Sequence, residues 1–171
     1  IGNEDALSKT TADGHYYLTD DVVIDEYWLC HNSIVLCLNG HSIIFQKAST
    51  ASDDGISIGS NTNFTICDCS ENQTGTITGS TQNGVKVSGE NSIFNMYGGK
   101  ITGNSNNAGT DDAYGGGVRV TYGSTFNMYG GEISGNQSIS SWYSYGGGVY
   151  VDYKDSIFNM YGGAVTGNTA K

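Results

Sequence analysis

Apolar residues recur two apart in short bursts along most of the chain, and the bursts come in sets of three. Val85/Val87, Phe94/Met96 and Ile101 make one set, Val118/Val120, Phe126/Met128 and Ile133 the next, and Val149/Val151, Phe158/Met160 and Val165 the last. Alternation of this kind marks short strands with one buried face. The written sequence repeats with it: SIFNMYGGKITGN from Ser92 returns as STFNMYGGEISGN from Ser124 and as SIFNMYGGAVTGN from Ser156, at one constant spacing. Earlier bursts fit the same scheme, with Ile56/Ile58, Phe64/Ile66 and Ile77 as one set and Val22/Ile24, Ile34/Leu36 and Ile43/Phe45 as the first.

A fixed period of this size means units that bury their apolar side only against their neighbours. The stretch from Ile77 to Ile101 suffices for three strands and three tight corners, so each strand lies parallel to its equivalent one coil along, ~4.8 Å away. The reading is all-β: a parallel β-helix of about five three-strand coils over residues 21–171, with the non-repeating residues 1–20 as an N-terminal cap. Like residues should stack on like, Phe94, Phe126 and Phe158 above all. Gly98/Gly99 and their equivalents Gly130/Gly131 and Gly162/Gly163 mark corners, and Asn104, Asn136 and Asn168 end their strands at matching places where side-chain amides can bond layer to layer. No second domain fits the length. The coils run to the last residues with no visible C-terminal cap, so the expectation is a segment of a longer protein, with further coils or end-to-end packing there.

Composition supports this reading. There are 26 Gly, no Pro and 12 Tyr, a mixture suited to corners and strands rather than helices. The formal charge of −10 repels phosphate backbones and anionic lipid, which argues against nucleic acid as a partner. The longest apolar runs, such as SIVLCL from Ser33, fall far short of the ~20 residues that span a bilayer, so no membrane insertion is expected. Cys30, Cys37, Cys67 and Cys69 allow three pairings. Cys37 and Cys67 hold equivalent outward places one coil apart and should approach bonding distance, with Cys69 on the same face; free buried thiols are the alternative. CDC is not CxxC, and no four-thiol zinc site is expected.

YYLTDDVVI from Tyr16, CLNGHSI from Cys37, GTITG from Gly75 and the recurring GGGV…FNMYGG…ITGN resemble the adhesin-like right-handed β-helix proteins of bacterial surfaces. Within that group GGGV and ITGN look like the repeats of polymorphic outer-membrane proteins. The resemblance covers residues 14–168 and implies a right-handed coil, export to the cell surface or beyond, and a role in attachment to a glycan or host protein. Related β-helices also carry polysaccharide lyases and hydrolases, and others act as passive surface spacers.

Departures from the regular coil point to where chemistry sits. The step from third to first strand is short between Ile77 and Val85, but twice as long between Ile101 and Val118 and again between Ile133 and Val149. Two loops should therefore bulge from one edge of adjacent coils. The first carries Asp111, Asp112 and Tyr114, the second Trp142, Tyr143 and Tyr145. Aromatic faces beside carboxylates suit sugar rings; the same rings could instead fold down over the coil edge as a satellite cluster. Asp111/Asp112 and Asp53/Asp54 offer oxygens to Ca²⁺, yet neither pair matches a spaced DxDxDG loop, so both read as solvated acids and no cofactor is expected. Tyr97, Tyr129 and Tyr161 should form an exposed aromatic ladder, beside Asn95, Asn127 and Asn159. Outward on the first strand, Ser57, Lys86, Arg119 and Tyr150 share a column. Arg119 suggests proton abstraction from a uronate, but with Lys86 and Asp152 nearby it reads as a solvated surface position. No defensible carboxyl pair for glycoside hydrolysis emerges from Asp152, Asp155 and Glu132. His15, His31 and His41 lie apart from any nucleophile. No catalytic residue is assigned.

Overall fold

The computed structural model describes Leu7, residues 12–46 and residues 54–171. The chain winds into parallel sheets stacked as a β-solenoid. The Phe sheet contains six strands, Gly14–Tyr17, Ile34–Cys37, Asn63–Cys67, Ile93–Met96, Thr125–Met128 and Ile157–Met160. The Ile sheet contains another six, from Val22–Ile24 to Ala164–Thr166, and the Val sheet five, from Trp28–Cys30 to Val149–Val151. Those five delimit about four full turns, and the other two sheets add a rung beyond them at the ends.

Register does what the repeats require. Phe94 is the partner of Phe64 below and Phe126 above, Phe126 pairs with Phe158, and the methionines follow in step. The rings stack at 5.8, 4.8 and 4.9 Å from Phe64 to Phe158, and Trp28 closes the lower end edge-on at 5.5 Å. Such offset stacking adds to the large area each ring removes from water. Ile77, Ile101, Val85, Val87, Val118 and Val120 are fully buried beside them.

The expected coil count and boundaries need correction at the N-terminal end. Val22 and Ile24 pair with Ile43 and Phe45, so they belong to the Ile sheet and not to the column of Val85 and Val87. The strand that does occupy that column is Trp28–Cys30, paired with Ile56–Ile58. Gly14–Tyr17, inside the segment assigned to the cap, is the first rung of the Phe sheet and pairs with Ile34–Cys37. The reason lies in spacing. Gly14, Ile34 and Phe64 are successive members of one column, and the first step along the chain is much shorter than the second, so a constant period does not extend downward. Leu7 and Leu18 are fully buried in the core at this end; residues 1–6 and 8–11 of the assigned cap lie outside the described residues, as does Asp53.

Polar ladders run alongside the apolar ones. Asn104 donates from Nδ2 to Asn136 Oδ1 at 2.9 Å, and Asn136 in turn to Asn168 Oδ1 at 3.0 Å. The same oxygens accept the backbone N–H of Asn104 and Asn136, so each amide satisfies two layers at once. Layers this close leave no room for side chains at certain corners. A Cβ on Gly117 would come within 2.6 Å of the Gly148 carbonyl oxygen and 2.9 Å of Asn136 Nδ2. Gly131 combines a crowded site with φ +83°, a conformation open only to glycine at little strain.

The bulges expected as loops are themselves layered strands. Ser105–Gly109, Gln137–Ser140 and Thr169–Ala170 form a small parallel sheet, and Ala113–Tyr114 pairs with Ser144–Tyr145. Apart from a register shift between Asn107 and Gly109, the two insertions run side by side, so their backbone groups find partners one layer along: Gln137 N–H to Asn104 O at 2.8 Å, Ala113 N–H to Tyr143 O at 2.9 Å. Inside this flap Ser138 Oγ donates to Ala113 O and Asn106 Nδ2 to Tyr114 O, each at 3.0 Å.

Candidate functional site

The flap meets the outer face of the Val sheet at a cluster of rings and charges. Arg119 and Tyr150 are adjacent in the outward column of that sheet. Arg119 Nη2 donates to Asp152 Oδ2 at 2.7 Å, and its guanidinium lies 4.8 Å from the centre of the Tyr114 ring, which comes from the flap. Tyr114 stacks on Tyr145 at 5.3 Å and on Tyr150 at 5.4 Å, and its hydroxyl donates to Asp112 Oδ2 at 2.8 Å. Tyr143 continues the stack from Tyr145 at 6.2 Å. These contacts join Tyr114, Tyr145, Tyr150, Arg119, Asp112 and Asp152 in one shelf. Arg119 is not the solvated position the sequence suggests: its side chain is 19% exposed and that of Asp152 14%. The inserted flap is the cause, since its Tyr114 ring lies against the guanidinium.

Electrostatics raise two of these phenols, Tyr114 and Tyr150. The hydrogen bond to Asp112, helped by desolvation, pushes the Tyr114 phenol up to about 12. Desolvation followed by the charge of Asp152 raises Tyr150. Tyr114 acts as a donor to Asp112 and both rings offer apolar faces to the stack. Asp112 Oδ1, Asp152 Oδ1 and Arg119 Nε are buried without a hydrogen-bond partner, leaving unused polar capacity in the same place.

At the rim Trp142 is 72% exposed and Tyr143 62%. These rings stand in solvent, whereas Tyr114 is packed into the shelf and Tyr145 bridges shelf and rim. Asp111 is exposed and Asp112 is engaged by Tyr114, so the adjacent acids do not act as one unit. Among the described residues no third carboxylate or histidine side chain joins them, and the one convergence of three metal-capable side chains is Cys37, Cys67 and Cys69.

Elsewhere several cations are paired. Lys86 Nζ is 3.1 Å from Asp54 Oδ2, Lys100 is 3.8 Å from Glu132, and Lys154 is 3.7 Å from Asp155. His41 sits 3.6 Å from Asp21, while His15 faces outward on the Phe sheet. Tyr97, Tyr129 and Tyr161 stack at 4.6 and 5.0 Å with their rings exposed, and Asn159, Asn127 and Asn95 hydrogen-bond in sequence beside them at 3.0 Å.

The expected Cys37–Cys67 bridge is not formed. Those two residues are register partners, but the disulfide joins Cys37 to Cys69, with Cα atoms 6.2 Å apart. Asp68 causes this: buried between the cysteines, it accepts the backbone N–H groups of Gly40, Ser70 and Gly75 and curls the chain so that Cys69 returns beside Cys37. Cys67 remains a thiol. Cys30 is buried in the core, and desolvation raises its thiol to about 11, so it packs as a small hydrophobe.

Sequence reading misses a second exposed pair, Tyr122 and Tyr153, whose rings stack at 4.2 Å beside a groove of ≈ 590 Å³ lined by Glu90, Asn91 and Lys154. Both take positive φ, +56° and +62°. Their spacing falls just short of the repeat, because Lys154 and Asp155 lengthen the last corner, and an alignment on phenylalanine hides them.

Compared with models of protein families, with curated proteins and with solved structures, the chain matches none. Of the resemblance to adhesin-like β-helices, the parallel solenoid and its repeats are what the structure displays.

Proposed function

We propose that this solenoid is an attachment segment of an exported surface protein and that the flap is its binding edge, taking neutral or amino-sugar glycans. The observation that carries this is the pairing of exposed Trp142 and Tyr143 with a rigid shelf behind them, where Tyr114, Tyr145 and Tyr150 meet Arg119, Asp112 and Asp152. Rings of this kind cover the C–H face of a pyranose while carboxylates accept its hydroxyl hydrogens. Layered strands and mutual stacking hold Tyr114, Tyr145 and Tyr150 in place before any ligand arrives, which lowers the ordering entropy lost on binding. The geometry disfavours the lyase reading, since the guanidinium that would serve a uronate is already held by Asp152.

A glycan array followed by titration calorimetry tests the proposal. Neutral or amino-sugar glycans should bind, and Trp142→Ala should weaken them up to about tenfold, matching the ~0.5–1.5 kcal/mol of one aromatic contact. An array without signal would favour a passive spacer, and affinity untouched by Trp142→Ala together with Tyr143→Ala would place the binding surface away from the flap.

A further inference from the structure

The outward tyrosine column passes into cysteine at its lower end. Met96 pairs with Ile66, so the next position of the column is Cys67 below Tyr97, and Cys37 lies below that as the register partner of Cys67. Cys69, two residues on, turns back to the same place. The three Sγ atoms all lie within 4.8 Å of one another. A tetrahedral ion with metal–sulfur bonds of about 2.3 Å sets its thiolates roughly 3.8 Å apart, so Cys67 needs at most about an ångström of adjustment, while the sulfurs of Cys37 and Cys69, bonded to each other, must part once the disulfide opens.

The surroundings act both ways: burial, and then the charge of Asp68, raises the Cys67 thiol, while a backbone donor faces Cys37. Cys69 N–H donates to Cys37 Sγ at 3.1 Å, a bond that would steady negative charge on sulfur. Asp68 is fully committed to the amides of Gly40, Ser70 and Gly75 at 2.9, 3.0 and 2.7 Å. It therefore holds the CDC corner in shape without competing as a ligand. Cys37 is buried, Cys67 half-buried and Cys69 exposed, which gives an ion a route in and leaves a coordination position toward solvent. Cys30, in the core, is a packing residue of the ordinary kind and sets the contrast.

We propose that these three cysteines, once the Cys37–Cys69 disulfide is reduced, form a three-thiolate site for a thiophilic divalent cation such as Zn²⁺, with water as the fourth ligand. The disulfide is the closed form of the site. A dithiol reductant delivers two electrons and two protons to the Cys37–Cys69 bond and is itself oxidised to a disulfide. The cation then displaces the three thiol protons and forms three metal–sulfur bonds. Three soft ligands with an open position suit Zn²⁺ or its spectroscopic substitute Co²⁺ better than Mg²⁺ or Ca²⁺.

The test is a Co²⁺ titration of the full chain, reduced and then freed of reductant without air, followed by displacement with Zn²⁺. The expected result is a thiolate-to-cobalt charge-transfer band saturating at a single equivalent, lost on adding Zn²⁺ and absent from the oxidised chain. Changing a neighbour of a metal ligand typically lowers affinity ~10–100-fold, so Cys67→Ser and Cys69→Ser should each weaken Zn²⁺ by at least about tenfold, while Cys30→Ser leaves it unchanged. Far-UV circular dichroism of each reduced variant reports whether the strands persist. No charge-transfer band from the reduced chain, whether its strands persist or are lost, would overturn the site. So would a band as strong in Cys67→Ser as in the parent.

Discussion

Asn136 performs four hydrogen-bonding tasks with one side chain. Its oxygen accepts from Asn104 N–H and Asn104 Nδ2, and its Nδ2 donates to Ile101 O and Asn168 Oδ1. Replacing it with alanine leaves the backbone N–H of Asn104 and the carbonyl of Ile101 buried with fewer partners, at ~1–3 kcal/mol for each group left unsatisfied. Asn136→Ala should therefore lower the unfolding free energy by at least about 2 kcal/mol in urea melts, and an unchanged midpoint would show that the ladder is ornamental. Asp68 is the charged counterpart. Burial pulls its carboxyl upward, but the amides of Ser70, Gly75 and Gly40 outweigh that, and the net shift is downward. A carboxyl held lower in the folded than in the unfolded chain stabilises above its unfolded value and loses that contribution as pH falls through the folded one. Urea melts across acidic pH should show Asp68→Asn less stable than the parent at neutrality, with the gap narrowing on acidification; a constant gap would mean that the charge is irrelevant.

At the scale of elements, packing between layers decides what sequence periodicity can reveal. Phe94, Phe126 and Phe158, and the asparagines at 104, 136 and 168, stand in columns that the constant repeat makes plain. Trp28–Cys30 is illegible in the sequence because its coil is short and its two inward residues match no later set. The flap strands read as loops since Ser105–Gly109 and Gln137–Ser140 are polar; their pairing comes from neighbouring backbone, not from an apolar face. Arg119 and Asp152 mislead for the same reason, because only the flap's position buries them. Where layers touch through glycine, the consequence is measurable. Gly117→Ala places a methyl against the Gly148 carbonyl and should cost ~1–3 kcal/mol through overpacking. Gly14→Ala meets only the edge of the Tyr16 ring at 3.4 Å and should stay within ~0.5 kcal/mol of the parent. Equal losses at both positions would argue against close layer contact as the constraint.

For the whole molecule, charge selects among ligands before any contact is made. The chain carries a formal −10, and the cations Lys86, Lys100, Arg119 and Lys154 each already face a carboxylate. Within the shelf, two carboxylates, Asp112 and Asp152, accompany a single guanidinium. An approaching polyuronate thus meets repulsion from both the local site and the global field, while an amino sugar is drawn in and a neutral glycan is indifferent. Since charges farther apart than about 8 Å are largely screened at physiological ionic strength, the distinction should be sharpest in dilute buffer. Affinity for a glucosamine-containing oligosaccharide should fall as salt rises from about 10 to 150 mM, a range that shortens the screening length from roughly 30 to 8 Å. A neutral oligosaccharide should show no such slope, and a polyuronate should not bind at the dilute end. Tight polyuronate binding in dilute buffer, lost on adding salt, would mean that a positive surface governs recognition, and the choice of flap ligands would have to be reversed.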